Sequence, residues 1–453
     1  MRVTEHEPET LRRARWLEAA ETYLPIVSSP WRFNKMVRDD LPRQGWKLHV
    51  SATLLNATNT LSIVAECLRG ENVYYKAPMT LGELARLNTG ILYDYHQIGK
   101  FLTIYPIDKG EVVRIAQKLA DATEGQAGPA VPFETRVAKN SPVFARYGLF
   151  RVEKGPNGHL LLGPDGGTEE DRRDRNPQWA RAPEGLWAPT LASSGSPLSS
   201  RFRIYGCLSQ RGKGGVYQAV DLDAAPARIC VIKEGRRHGE VDIDGNDGRS
   251  RLQTEHEVLS SLSASGVPVP RPYTMFEGAG HGYLVMEWLP GLVLGGQVLD
   301  GERPLPKEVA RDLAAQVSGL VRDVHRNGWV WRDVKASNFI LQGDGRLRPL
   351  DFEGAVREGG EVTSPWGSPG HLPPGVHRQR TATFSHDLFA LGSLLYQLFT
   401  SEIPDGNASS LTVGPGLSIP GAISALIKEL WSDDPTRRPL ASSVQIRLKD
   451  CSI

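Results

Sequence analysis

Only four cysteines stand in the 453 residues: Cys67, Cys207, Cys230 and Cys451. No two have the spacing of a metal site, and their scarcity excludes a disulfide-held secreted scaffold. Reduced thiols in a cytoplasmic protein are the expectation. Long apolar runs are also lacking, so no segment reads as a membrane span. The opening stretch, Met1 to Pro8, has no apolar core and does not read as a secretory signal. Charge of one sign is missing too. Lys and Arg total 53 against 52 for Asp and Glu, a formal net charge of +1. That balance excludes a general nucleic-acid or membrane-surface binder, while leaving room for a local basic pocket. No internal repeats are present.

Present instead are two differently patterned halves. Glu9 to Tyr23 has a helical pattern, which Pro25 and Pro30 end. Trp46 to Ser51 alternates, with Trp46, Leu48 and Val50 on one face and Lys47, His49 and Ser51 on the other. Asn56 to Leu68 reads as a helix and Val73 to Lys76 as a strand. At Thr80 a capped helix start precedes Glu83 by three residues. Phe101 to Tyr105 reads as a strand and Gly110 to Thr123 as a helix. This is a mixed α+β domain. A stretch rich in Gly, Pro, Arg and Asp follows and reads as linker. Strand patterns then run to about residue 290, and helical ones from Lys307. The expected division is residues 1–152 (with 1–44 as an N-terminal extension), a linker over 153–200, and a second domain over 201–453.

Chemistry-bearing residues of the second half come in order. Gly212, Gly214 and Gly215 lie between strand-like runs, where glycines let a hairpin backbone approach phosphates. Ile229 to Lys233 is a buried-strand pattern ending in a lysine that can hold phosphate oxygens if a carboxylate orients it; Glu255 is the candidate. Asp333, Lys335 and Asn338 follow, then Asp351 thirteen residues after Asn338. Phosphoryl transfer needs a carboxylate near the incoming hydroxyl and oxygen ligands for Mg²⁺.

These residues resemble the protein kinase family over about 201–450. The resemblance implies a bilobal fold, with the N-lobe at 201–288 and the C-lobe at 289–453. It implies ATP or another NTP with Mg²⁺ as cofactors. Gly212, Gly214, Gly215, Lys233, Glu255, Glu287 and Leu289 would handle the nucleotide, the last two at the hinge. Asp333 would take the substrate hydroxyl's proton, Lys335 would steady the γ-phosphate, and Asn338 and Asp351 would bind the metal. Asp387 looks like the family's structural aspartate and Arg437 like its C-lobe arginine. Three departures stand out: Trp331 replaces the usual histidine before Arg-Asp, Glu353 occupies the usual glycine position, and Gly370-His-Leu-Pro-Pro lacks the usual glutamate.

In the first half, Lys47, His49, Lys76, Arg86, Lys100, Arg136 and Arg146 are cations that individually suit a solvated surface. Gly45 to Thr53, Gly99 to Pro106 and Ser141 to Gly148 together are similar to the lyase domain of class III and class IV lanthipeptide synthetases. That domain is related to phosphothreonine lyases. The fold implied is an α+β multidomain chain: a phosphothreonine-lyase-like α+β domain, then a bilobal kinase-like domain. The resemblance makes Lys76 the base and His49 the acid of a β-elimination. Lys47, Arg136 and Arg146 would hold phosphate, as would Arg86 and Lys100, where the alignment is looser. Tyr95 is a further candidate there.

Joined, the halves imply phosphorylation of Ser or Thr in a leader-bearing precursor peptide, then loss of phosphate to leave a dehydro residue. The family's third, cyclase domain has no counterpart before Ile453, so either a shortened chain or a natural two-domain form is expected. In the second case cyclisation would happen elsewhere, spontaneously or with a separate cyclase as partner, and a flavin-dependent peptide cysteine decarboxylase is a further expected partner, supplying thiol. No nucleic-acid or membrane partner is expected. The alternatives are a Ser/Thr kinase with a non-catalytic N-terminal binding domain, and a non-enzymatic leader-binding scaffold.

Overall fold

The computed structural model describes residues 8–36, 41–151, 159–187, 197–299, 304–404 and 419–451. Parts of the expected extension and linker, residues 1–7, 37–40, 153–158 and 188–196, lie outside the described residues.

The first body opens with helix α1 (Glu9–Tyr23) and strands β1 (Ile26–Ser28) and β2 (Trp31–Phe33). Strand β3 (Gln44–Val50), α2 (Ala57–Cys67), β4 (Tyr74–Pro78) and α3 (Leu81–Thr89) follow. Then come β5 (Leu102–Tyr105), α4 (Lys109–Ala122), β6 (Thr135–Arg136) and β7 (Val143–Leu149). The seven strands form one antiparallel sheet in the order β1-β2-β4-β5-β3-β7-β6. Strand alternation divides its faces. Trp46, Leu48 and Val50 pack into a core with Trp16 and Ala20 of α1, Leu61 and Val64 of α2, and Ile115 and Leu119 of α4. Each large side chain so buried contributes about 2 kcal/mol. The opposite face carries Lys47, His49 and Lys76. Helix α3 starts as its sequence signals: the Thr80 side chain accepts from the Glu83 N–H at 3.1 Å.

The expected N-terminal extension is thus integral to this body, supplying a core helix and two strands. Much of the stretch read as linker is also packed here. Strands β8 (Leu160–Leu162) and β9 (Thr168–Glu170) pair as a hairpin. Leu186 is fully buried in the core of the first sheet, and Trp187 meets Trp46 edge-on at 5.9 Å. A Gly-, Pro- and charge-rich composition conceals this because the stretch is held by a few anchors rather than by periodic structure.

The second body opens with the short helix α5 (Pro197–Arg201). Its five-stranded antiparallel sheet is built from β10 (Phe202–Arg211), β11 (Gly214–Asp221), β12 (Arg228–Gly235), β13 (Pro272–Gly278) and β14 (His281–Glu287), ordered β10-β11-β12-β14-β13. Helix α6 (Gly248–Ala264), capped by Asp247, packs on that sheet. Beyond the hinge lie β15 (Leu292–Val293) and the amphipathic α7 (Lys307–Arg326). Short strands β16 (Trp329–Val330), β17 (Phe339–Leu341), β18 (Leu347–Pro349) and β19 (Val356–Arg357) bracket the loops that carry Asp333 and Asp351. Helices α8 (Phe384–Thr400), α9 (Gly421–Leu430) and α10 (Ala441–Asp450) complete the lower lobe around α7. No helix among the described residues is long and apolar enough to cross a membrane.

Candidate functional site: a kinase-type cleft and a cationic sheet face

In the cleft between the lobes, β12 carries Lys233, whose Nζ donates to Glu255 of α6 at 2.6 Å and to Asp351 at 3.3 Å. Burial disfavours the ammonium, but Asp351, Glu255 and Glu353 outweigh it and raise its pKa. Burial likewise opposes the Asp351 charge. Lys233 and then Lys213 prevail, holding that carboxyl well below the usual range. Asp351 takes a positive φ of 60°, which turns its side chain into the cleft.

Asp333 lies in the loop after β16. Its carboxylate accepts from Lys335 Nζ at 2.8 Å, from Asn338 Nδ2 at 3.0 Å and from Ser368 Oγ at 3.0 Å. Lys335 also donates to Ser368 Oγ at 2.8 Å. The loop is fastened from below by the fully buried Asp387, which accepts from the Trp331 and Arg332 N–H groups at 2.7 Å each and bonds His325 at 2.9 Å. Trp331 serves where a histidine is usual. Its indole N–H donates to the Asp351 carbonyl at 2.8 Å while its ring stacks on Phe352 at 4.6 Å. At the expected C-lobe arginine, the two neighbouring arginines differ in burial and contacts. Arg437 is exposed, while Arg438 is buried, donates to the Ser432 and Ser385 carbonyls and lies 5.2 Å over Phe389.

Opposite the hinge strand, Gly212 and Lys213 turn the β10–β11 hairpin, and Gly214 and Gly215 begin β11. The Glu287 carboxylate is taken up by Arg348 and the Arg271 N–H, both at 3.1 Å, so its side chain is committed to the frame; Leu289 beside it is buried.

On the first body's open sheet face, the strand register aligns a row. Lys76 pairs with Thr103, Thr103 with His49, His49 with Phe144, and Phe144 with Arg136. With neighbouring strands about 5 Å apart, Lys76 and His49 stand about 10 Å apart at the backbone, a gap long side chains and a bound phosphoester can close. Lys47 and Arg146 form the adjacent pair, two residues along. Lys76 sits 4.1 Å over the Trp31 ring, and burial, then Arg173, lowers its pKa to about 8. Lys47 is lowered to about 7 by burial and then Arg146. Burial takes His49 down to about 4 despite Glu134 beside it.

The other expected residues are held by partners of their own. Arg86 points to solvent and pairs with Glu83 at 2.6 Å on its own helix. Tyr95 lies under Arg236 of the second body, 5.0 Å from ring centroid to guanidinium. Arg136 donates to the Ser141 carbonyl and lies over Phe144 at 4.5 Å. Arg146 is buried against Asp171 and donates to the Arg172 carbonyl at 2.9 Å.

Residues 16–196 match the family model described as the RamC N-terminal domain, and residues 208–446 match the one for the protein kinase domain. The chain belongs to the protein kinase family. It is 31% identical over 397 residues to a probable SapB synthase of Streptomyces coelicolor, an alignment covering 83% of this chain and 42% of that one. It is 30% identical over 219 residues to the serine/threonine-protein kinase PknA of a Nostoc species (46% and 38% covered), and 29% over 236 residues to serine/threonine-protein kinase C of a Synechocystis species (50% and 44%). The chain spans less than half the length of each of these curated relatives. The order of the two matched domains bears out the resemblance to class III and class IV lanthipeptide synthetases, and the kinase domain makes this a phosphotransferase of kinase type.

Outside the kinase domain, two groups of site residues have no sequence signal. Glu134 follows Phe133, whose left-handed φ of 62° turns the chain inward. Its fully buried carboxylate bonds His49 Nδ1 at 2.7 Å and Lys100 Nζ at 2.9 Å. Those two partners hold its pKa down to about 2 although burial opposes it. Asp171 and Arg173 come from the stretch read as linker; Arg173 reaches His96 Nε2 at 3.1 Å. Only a cationic surplus on one strand face could have hinted that a buried carboxylate was needed. Replacing Glu134 by Gln should lower stability by about 3 kcal/mol, because a buried ionic cluster loses its shared anion. A urea melt checks this, and an unchanged midpoint would mean that His49 and Lys100 do not depend on that charge.

Proposed function

We propose that the chain is a bifunctional peptide dehydratase. The kinase domain phosphorylates Ser or Thr of a ribosomally made precursor, and the N-terminal domain eliminates the phosphate, leaving dehydroalanine or dehydrobutyrine. What carries this reading is the row of Lys76 and His49, with Lys47 and Arg146 alongside, in one chain with a complete kinase-type cleft.

In the first step Asp333 accepts the hydroxyl proton as the peptide oxygen bonds to the terminal phosphorus of ATP. Lys233, held by Glu255, and the backbone of the glycine-rich hairpin grip the nucleotide, and Lys335 steadies the terminal phosphate. Asn338 and Asp351 offer amide and carboxylate oxygens, the donor set that suits Mg²⁺. Asn338 Nδ2 donates to Asp333, which leaves the amide oxygen for a cation. Bound there, the ion would neutralise phosphate charge.

In the second step Lys76 Nζ takes the Cα proton, the Cα–Cβ double bond forms, and the Cβ–O bond breaks with its electron pair leaving on phosphate. Lys76 suits a base because its lowered pKa leaves some of it neutral near pH 7. Burial keeps His49 neutral, with Nδ1–H donated to Glu134. An arriving phosphate dianion would raise its pKa and let Nε2 carry the proton for the leaving group. A leader-bearing precursor peptide is the partner this reading calls for.

The test follows intact peptide mass with ATP, Mg²⁺ and a Ser/Thr-rich precursor from the gene neighbourhood. A transient gain of phosphate followed by net loss of water is expected. Phosphate gained and kept would leave a plain Ser/Thr kinase whose N-terminal domain only binds.

A further inference from the structure

One of the kinase domain's departures from the common pattern, Glu353, meets the glycine-rich hairpin in space. Lys213 stands at the tip of the glycine-rich hairpin, and Glu353 follows Asp351-Phe352 where a glycine is usual. They are 140 residues apart in the chain, yet Lys213 Nζ donates to Glu353 Oε1. Both side chains are partly buried: Lys213 is 29% exposed and Glu353 17%.

The hairpin tip is also gripped through its backbone. The Lys213 N–H donates to Glu240 at 2.9 Å, and its carbonyl accepts from the Arg236 N–H at 2.8 Å. From the other side, the Gly212 N–H donates to the Thr89 carbonyl at the end of α3, 3.0 Å away. A Cβ at Gly212 would run into the Asn88 carbonyl, so only glycine permits this approach of the two bodies. The tip is therefore fixed in place by both the N-terminal domain and the lower lobe.

Electrostatics make Lys213 and Glu353 interdependent. A carboxylate at 353, close to Asp351, would repel an incoming polyphosphate if left bare. Lys213 cancels it, and the same ammonium favours the charge on Asp351. Burial works against Lys213, but Glu353 and Asp351 outweigh it, so the lysine stays charged.

We propose that Lys213 and Glu353 form a latch that fixes the glycine-rich hairpin over the nucleotide phosphates, as positioning residues for phosphoryl transfer. The inference rests on the reading of the cleft as a nucleotide site, and on nothing about the peptide or the elimination. Loss of Glu353 removes the lower lobe's hold on the tip. Loss of the Lys213 side chain removes the same hold and also bares a carboxylate beside the phosphates. The two variants therefore have unequal and non-additive effects.

The experiment is a double-mutant cycle in the full chain, reading the dissociation constant of Mg·ATP by calorimetry, with thermal melts confirming the fold. Glu353→Gln should weaken binding about fivefold and Lys213→Met about thirtyfold, and the double variant should return to the level of Glu353→Gln. Recovery in the double variant is a result that general loosening of the fold cannot produce. The latch is overturned if the double variant shows the product of the single losses, or if Glu353→Gln binds as the unaltered protein does. Failure of the unaltered chain to bind Mg·ATP would sink the nucleotide-site reading itself, and the latch with it, before any variant is made.

Discussion

Asp333→Asn is expected to abolish phosphorylation of the precursor, by about a thousandfold or more, while elimination from a synthetic phosphopeptide continues at the unaltered rate. The isosteric amide keeps the shape of the loop, which Asp387 fastens from beneath through two 2.7 Å bonds to the backbone. It cannot accept the hydroxyl proton. It also exchanges an acceptor for a donor toward Lys335 and Asn338, both of which now donate to the carboxylate. Elimination is unaffected because the groups assigned to it stand on the first body's sheet, with none bonded to Asp333. Two assays on one protein preparation decide it: peptide mass with ATP, and phosphate release from the phosphopeptide without ATP. Loss of both activities would show that the two sites do not act independently. Retained phosphorylation would remove Asp333 from the role of base.

How much of this was open to sequence reading depended on whether a residue's task is local or tertiary. The alternation of Trp46, Leu48 and Val50 against Lys47 and His49 is a property of a single strand, and the sheet has those faces. The Thr80 cap is local as well. The kinase residues are spread over more than a hundred positions, but their order and spacing restrict them to one arrangement. Glu134 is different. Nothing periodic surrounds it, and it matters only because a backbone turn at Phe133 brings its carboxylate beneath His49 and Lys100. Asp171 and Arg173 sit in a stretch whose composition suggests a tether, and only tertiary packing brings them to Arg146 and His96. Arg86 errs in the opposite direction, since the helix face that carries it turns to solvent and gives it Glu83 instead. Adjacent arginines at 437 and 438 cannot be told apart by motif spacing alone; the fold buries the second, which donates to the Ser385 and Ser432 carbonyls. Glu353 reads as an isolated oddity until the fold pairs it with Lys213.

Replacing Lys76 by Ala should trap the phosphorylated peptide, with elimination slowed about a thousandfold and ATP consumption in the kinase step unchanged. The lysine's setting supports that role: burial and the Arg173 charge lower its pKa to about 8 from an ordinary value near 10.5. The base must be neutral to act, so the sign of the pH dependence is fixed. Below about pH 8 elimination should rise about tenfold per pH unit, and above it the rate should level off. Arg173→Ala should move that limb to higher pH, because a cation that disfavours the ammonium has gone. Initial rates of phosphate release across pH 6 to 9 provide the check. The profile also discriminates between the two lysines of the sheet face. Lys47 is lowered further, to about 7, but its Nζ donates to the Leu149 carbonyl at 2.8 Å, which ties up the ammonium where a base needs its lone pair free. A limb centred near 7 that survives in Lys76→Ala would transfer the base role to Lys47, whereas a limb near 8 that vanishes with Lys76 would leave Lys47 to hold the phosphate.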